Sequence, residues 1–260
     1  MLIRLLKEES PDHILIVFDS GKPTFRDELF THYKENRREA PDTLIPQFPY
    51  IKKTVDAFGL LRAEVDGFEA DDVIGTLVEQ HSRDLDICIV TGDKDMMQLV
   101  GPRVTLLDTM KNRRMGAREV KEKVGVSPDQ MVDMMALMGD PIDNIPGVKG
   151  IGEKTAALLI QEFGTLDNLL ASLDRLNGMK LRGAGRVRDL LLNQRDQALM
   201  SRELATIRRN VPIAFAIDDL KPQPPRSEEL KELFQELEFH QLLKEWSPIG
   251  EEDESASAPR

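Results

Sequence analysis

Cysteine, tryptophan and histidine are scarce in this chain of 260 residues, and long apolar runs are missing. The single cysteine, Cys88, rules out an internal disulfide, and its place inside "DICIVTG" makes it a core residue of an expected strand. Aromatics make up 5% and Trp246 is the lone tryptophan, so packing falls to Leu, Ile, Val and Met. No stretch of about 18 apolar residues occurs, and the opening "MLIRLLKEESPDH" is too short and too charged for a secretory signal. The expected setting is therefore the cytoplasm, with no membrane partner. Four histidines and one cysteine leave little from which to build a zinc site. Basic excess is lacking too, and a formal net charge of −11 argues on its face against a polyanionic partner.

What is present is enough apolar material, 40% of residues, to fill a real core. Residues 1–115 alternate short β-branched runs with amphipathic stretches. "HILIVFD", "LRAEV", "LDICIVTG" and "RVTLLD" read as strands, while "PQFPYIKKTVDAFG" and "EADDVIGTLVEQHS" read as helices. That βαβ rhythm predicts an α/β fold built on a parallel sheet, with ligands gathered at the carboxyl ends of its strands. Residues 116–246 read as helical throughout, in segments such as "SPDQMVDMMALMG", "GEKTAALLIQEFG" and "RVRDLLLNQRDQALMSRELATI". Residues 247–260 are polar and acidic and read as a disordered linker or tail.

The acidic residues fall in four groups at predicted element ends: Asp19, then Glu69, Asp71 and Asp72, then Asp93 and Asp95, then Asp140 and Asp143. Singly, each group has an ordinary explanation, since first-turn acids favour the helix dipole and Asp140 before Pro141 suits a helix cap. Brought together, they would repel by roughly 1 kcal/mol per pair in water and roughly 4 at a protein-like dielectric. Only bound cations would make such crowding tolerable, and hard carboxylate oxygens suit Mg²⁺ or Mn²⁺. Two ions about 3.5–4 Å apart are a known device for phosphodiester hydrolysis. Asp93 and Asp95, two apart in extended chain, would share a side, and Asp140 and Asp143 would share a face if their turn is helical. Lys94, between the two aspartates, is expected to point outward without a role. Setting aside the eight acids and the tail "EEDE", the remainder of the chain is close to neutral, and residues 165–212 hold nine Lys/Arg against five Asp/Glu.

A second signal is "GVKGIGEKTA", with glycines at Gly147, Gly150 and Gly152 ahead of a helix start. Such a loop offers backbone N–H groups and a positive helix end to phosphate, and Lys149 and Lys154 can add charge-assisted contacts. Tight-turn chemistry alone would explain isolated glycines. The full wording is a helix-hairpin-helix signature for holding a DNA backbone without reading its sequence. The run "MKLRGAGRVR", with Lys180, Arg182, Arg186 and Arg188, would track duplex phosphate.

Together "VFD…TFRDELFTHYKENR", "GFEADDVIGTL", "TGDKDMMQLV", "LMGDPIDNIPGVKGIGEKTA" and "LEFHQLL" resemble the 5′→3′ exonuclease domain of bacterial DNA polymerase I, in the flap endonuclease superfamily. The likeness runs over nearly all of residues 1–246. It implies a nuclease core over residues 1–115, including an arch segment, followed by a helical DNA-binding region over 116–246. The implied activity is two-metal cleavage of 5′ flaps and of nicked or gapped duplexes in replication and repair, by a monomer at the bacterial nucleoid. By motif, Asp19, Glu69, Asp71 and Asp93 would serve the catalytic metals, with Asp72, Asp95, Asp140 and Asp143 completing the cage or holding metal-bound waters. Arg26 and Lys34 would meet the scissile phosphate and Arg37 the single strand, although without the other motifs their stretch would read as an amphipathic surface helix. The resemblance also implies K⁺ at the hairpin loop and a linked polymerase region in a longer parent chain.

In one respect the sequence departs from that pattern, because family members begin with an aspartate-bearing strand and this chain opens at a later helix. Two readings therefore stand: an active 5′ nuclease, or a catalytically impaired DNA-binding remnant that grips duplex without cutting it. A ribonuclease with a related acid cluster is weaker, since a duplex-gripping hairpin would lack purpose.

Overall fold

The computed structural model describes residues 1–179 and 181–245, the side chain of Glu245 excepted. Lys180, Trp246 and the expected tail thus lie outside the described residues. By compactness the chain divides into two units, each assembled from separated segments. Among the described residues, the first comprises Met1–Asp19, Glu39–Glu64 and residues 212–245, and the second comprises Ser20–Arg38 and Val65–Val211. The expected division at residue 115 marks a change in sequence character, strands before and helices after, and compactness follows a different line.

In the first unit, β1 (Leu15–Val17) pairs in parallel with β2 (Leu61–Ala63), in the register Leu15 to Leu61 and Val17 to Ala63. Around this ribbon lie α1 (Leu2–Glu9) and α3 (Phe48–Ala57), the latter entered through a 3-10 turn whose Pro46 suits a helix start. From the far end of the chain come α11 (Ser227–Glu236) and α12 (His240–Glu245). Val55, Phe58 and Leu60 bury themselves against Leu230, Leu233 and Phe234, with Leu2, Ile16 and Leu242 packed around them. Gly59, at φ +70°, lets the backbone pass so near Gln223 that a Cβ would overlap its carbonyl.

The second unit holds a three-stranded sheet of order β3-β4-β5. β3 (Ile87–Val90) runs parallel to β4 (Val104–Asp108), and β5 (Arg113–Met115) returns antiparallel. Cys88 sits half-buried in β3. α2 (Phe25–Leu29) and α4 (Ala70–His81) belong to this unit, followed by α5 (Ala117–Val124), α6 (Met131–Met138), α7 (Glu153–Phe163) and α8 (Leu166–Ala171). α9 (Ala184–Asn193) and α10 (Arg195–Ala205) complete it. α6 is apolar nearly all round, with Met131, Met134, Met135 and Leu137 buried, and this makes it the axis of the helical core.

"FRDELFTHYKENR" is helical only to Leu29 and then turns repeatedly, with Lys34 in the left-handed region at φ +57°, so the alternative of one surface helix does not hold. Two expectations need correction. "RVRDLLLNQRDQALMSRELATI" is two helices rather than one, broken where Gln194 leaves helical geometry at φ −122°, ψ 26°. Asp93 and Asp95 do not lie in extended chain, because β3 ends at Val90 and a 3-10 turn begins at Asp95.

Candidate active site and nucleic-acid interface

α4 begins at Glu69, whose backbone N–H donates to Asp72 Oδ2 at 3.1 Å in a reciprocal cap. Asp72 is fully buried and its two oxygens are committed. Oδ2 also takes Arg26 Nη1 at 2.7 Å, and Oδ1 takes Arg26 Nη2 and the Arg208 N–H, each at 2.8 Å. Arg26 is itself 2% exposed, and it donates further to the carbonyls of Leu204 at 2.9 Å and Thr206 at 2.8 Å. Burial would favour losing its proton, yet the hydrogen bonds and charge of Asp72 override this and hold Arg26 firmly cationic. This buried fork ties α2 and α4 to the end of α10. Arg26 and Asp72, expected at the phosphate and at the metal site, are here buried and paired with each other, and both brace the fold.

Glu69 faces the other way. Its carboxylate accepts Lys34 Nζ at 2.6 Å and the Tyr33 hydroxyl at 3.3 Å. The left-handed turn at Lys34 also aims its backbone N–H at the Asp143 carbonyl, 2.9 Å away. Asp143 Oδ1 accepts from Arg37 Nε at 2.9 Å, and Lys34 Nζ lies 3.9 Å from Oδ2. Burial, with Glu69 beside it, pushes the Tyr33 hydroxyl pKa well up, so Tyr33 stays a neutral donor between Glu69 and Asp143.

Asp140 and Asp143 sit in a loop closed by mutual backbone hydrogen bonds between Asp140 and Ile145, not in a helical turn. Both are buried, at 2% and 6% exposure. Lys94 Nζ lies 3.1 Å from Asp140 Oδ2, so Lys94 turns inward, contrary to expectation. Asp95 Oδ1 is shielded from solvent with no hydrogen-bond partner. Burial, then the charges of Asp93 and Asp140, push the Asp95 pKa up to about 7 against the opposing pull of Lys94. Asp71 is half-buried in the first turn of α4, and Asp93 is exposed. Asp19 is exposed at the end of β1 in the first unit.

The donor chemistry fits a hard divalent cation: every candidate atom is a carboxylate oxygen, and the orphaned Asp95 oxygen lies among like charges that call for a positive partner. No three acidic, histidine or cysteine side chains among the described residues already form a closed metal cage. Lysine and arginine are interleaved with the acids instead.

The glycine loop shares a neck with the acid loop. Gly139 and Gly147, at φ +71° and +60°, bring their backbones so close that a Cβ on Gly147 would overlap the Gly139 nitrogen. From this neck the chain runs through buried Val148 and Ile151, while Lys149, Gly150, Gly152 and Lys154 are exposed at the start of α7. Arg182 and Arg186 are exposed near the start of α9, and Arg188 is drawn to Asp174 at 3.3 Å. Lys180 lies outside the described residues.

Sequence reasoning missed Tyr33, the inward turn of Lys94, and three side chains at and just before α10 (Gln194, Gln197 and Ser201) that contact the glycine loop. Tyr33 could have been found, since it adjoins Lys34. The α10 contacts span about 50 residues and leave no local signal.

Comparison with known proteins agrees with these features. The chain is 46% identical to DNA polymerase I of Pseudomonas aeruginosa over 98% of its own length, and 41% identical to that of Bacillus caldotenax over 97%. It spans 29% of each of those relatives. Among solved structures it resembles T5 5′-exonuclease with bound divalent metal ions (zinc), at 27% identity, 78% of each chain and a TM-score of 0.65. A T5 flap endonuclease variant in a pseudo-enzyme-product complex with DNA and metal ions shares the fold, at 23% identity, 91% of this chain, 88% of that one and a TM-score of 0.68. Residues 1–125 match the N-terminal, resolvase-like domain of 5′-3′ exonucleases and residues 126–228 their C-terminal SAM fold, so the chain belongs to the 5′-3′ exonuclease family.

Proposed function

We propose that this chain is a divalent-metal 5′ nuclease that cleaves DNA at 5′ flaps, nicks and gaps. The observation that carries the reading is the shared neck at Gly139 and Gly147, which joins the loop bearing Asp140 and Asp143 to the glycine loop suited to duplex phosphate. One short rigid connection would then fix the distance between grip and cut. Within the second unit the metal-holding residues are proposed as Glu69, Asp71, Asp93, Asp95, Asp140 and Asp143, with Mg²⁺ or Mn²⁺ as the ion. When bound, two such ions supply an activated water and charge stabilisation at the leaving oxygen. Lys34, 2.6 Å from Glu69, places an ammonium at the edge of the acids, where it can meet the negative phosphate, and Arg37 flanks it beside Asp143.

At the other end of the neck, Gly147, Lys149, Gly150, Gly152 and Lys154 would hold duplex phosphate, and a K⁺ ion at this loop would add positive charge there. Arg182, Arg186 and Arg188, with Lys180, continue the basic track. The setting proposed is a bacterial cytoplasm, at the nucleoid, with the chain acting as a monomer or as part of a longer polypeptide carrying a polymerase. What supports that last point is that the matched relatives are polymerases more than three times as long. Among the described residues, no helix is long and apolar enough to cross a membrane.

The test is cleavage of a labelled 5′-flap duplex with Mg²⁺, comparing the chain with Asp93→Ala and Asp143→Ala. Each variant is expected to lose at least about a hundredfold in rate, a loss of several kcal/mol in transition-state stabilisation. Salt-sensitive duplex binding with no cleavage by the unaltered chain would favour the DNA-binding remnant instead.

A further inference from the structure

The geometry points to Gln194, Gln197 and Ser201 as positioning residues that hold the glycine loop in its DNA-binding shape. This rests on the reading that the loop grips duplex. Gln197 and Ser201, four apart, share a face of α10, and Gln194 stands immediately before its first residue. Gln194 makes a reciprocal pair with Lys149: its Oε1 accepts the Lys149 backbone N–H at 2.8 Å, and its Nε2 donates to the Lys149 carbonyl at 3.3 Å. Gln197 Nε2 donates to the Gly147 carbonyl at 2.6 Å, and Ser201 Oγ, fully buried, accepts the Gly147 N–H at 3.0 Å.

Both backbone groups of Gly147 and both of Lys149 are thus bound by side chains of α10 and of the residue just before it, while the Lys149 side chain stays exposed. Gly147 sits at φ +60° and Gly150 at φ +103°, conformations that a free loop leaves readily. The amides and the hydroxyl replace the neighbouring strand that such a segment lacks, so the loop meets phosphate already shaped, and binding is spared the ordering cost. The break between α9 and α10 follows from this: Gln194 leaves helical geometry at the position where its amide lies against Lys149.

The experiment measures affinity of the full chain for a fluorescent 5′-flap duplex in K⁺ buffer with EDTA, over a range of salt. Gln194→Ala, Gln197→Ala and their double variant are set beside Lys149→Ala and Lys154→Ala, with a single-stranded oligonucleotide and the thermal midpoint as controls. Each glutamine variant is expected to weaken duplex binding about tenfold, the worth of one or two lost hydrogen bonds. The slope of log affinity against log salt should remain unaltered, because no phosphate contact is removed, whereas each lysine variant should lower it by about one. Single-strand affinity should barely move, and the midpoint should fall by only a few degrees, about 2–4 °C per lost kcal/mol. Unchanged duplex affinity in the glutamine variants, with the lysine variants weakened, overturns the positioning role while leaving the loop's grip intact. Unchanged affinity in all variants overturns the grip itself. A glutamine variant that lowers the slope as a lysine variant does shows direct phosphate contact, and equal loss of single-strand binding with a midpoint lowered by more than those few degrees shows general structural damage; either result also overturns the positioning role.

Discussion

Replacing Arg26 by alanine strands the Asp72 carboxylate in a place that water does not reach. Removing one partner of a buried pair costs about 3–5 kcal/mol, and urea denaturation of Arg26→Ala should show a loss of that size. Arg26→Lys should not restore it, because one ammonium cannot serve both Asp72 oxygens and two carbonyls in the plane of a guanidinium. Asp133 allows a test by pH. Burial raises its pKa, against the opposing Leu166 N–H and Arg202, so the folded chain keeps this proton to a higher pH than the unfolded chain. Stability contributed at this site therefore falls as pH rises from the ordinary carboxylate value through the raised one. Asp133→Asn still offers an oxygen to Leu166. Its denaturation midpoint should rise relative to the parent at pH 8 and show no such gain at pH 3.5.

At the scale of elements, the shared neck admits no side chain. Gly147→Ala would press a Cβ against the Gly139 backbone at a positive φ, and its melting transition should show a loss of about 1–3 kcal/mol. Gly152→Ala is the contrast, since Gly152 has φ −97° and open space where its Cβ would stand. Its stability should fall by no more than about 1 kcal/mol, the usual difference between glycine and alanine at a helix N-cap. These elements also show what the sequence could convey. Strands such as "LDICIVTG" and helices such as "GEKTAALLIQEFG" were legible because their periodicity and stop signals are local. The short α2 was not, because "FRDELFTHYKENR" has helical composition but is turned by distant acids: Tyr33, Lys34 and Arg37 reach Glu69 and Asp143. The four acidic groups could be read from the sequence, but the inward direction of Asp72 could not, since Arg26 and Arg208 approach it from 46 and 136 residues away.

At the scale of the whole molecule, the first unit depends on chain drawn from three places. A chain ending at Val211 would lack Leu230, Leu233 and Phe234, leaving Val55, Phe58 and Leu60 uncovered. Each such side chain is worth about 1.5–3 kcal/mol when buried, so the first unit should lose its hydrogen-exchange protection. The second unit, whose core lies wholly within Tyr33–Ile207, should keep its own. The same interleaving bears on birth at the ribosome. At about 5–20 residues per second, roughly 10–30 s separate synthesis of Phe58 from that of Leu230. The middle of the chain can fold in that interval, while the nascent amino-terminal helix and ribbon must wait for partners not yet translated, a period in which a chaperone would find them bare.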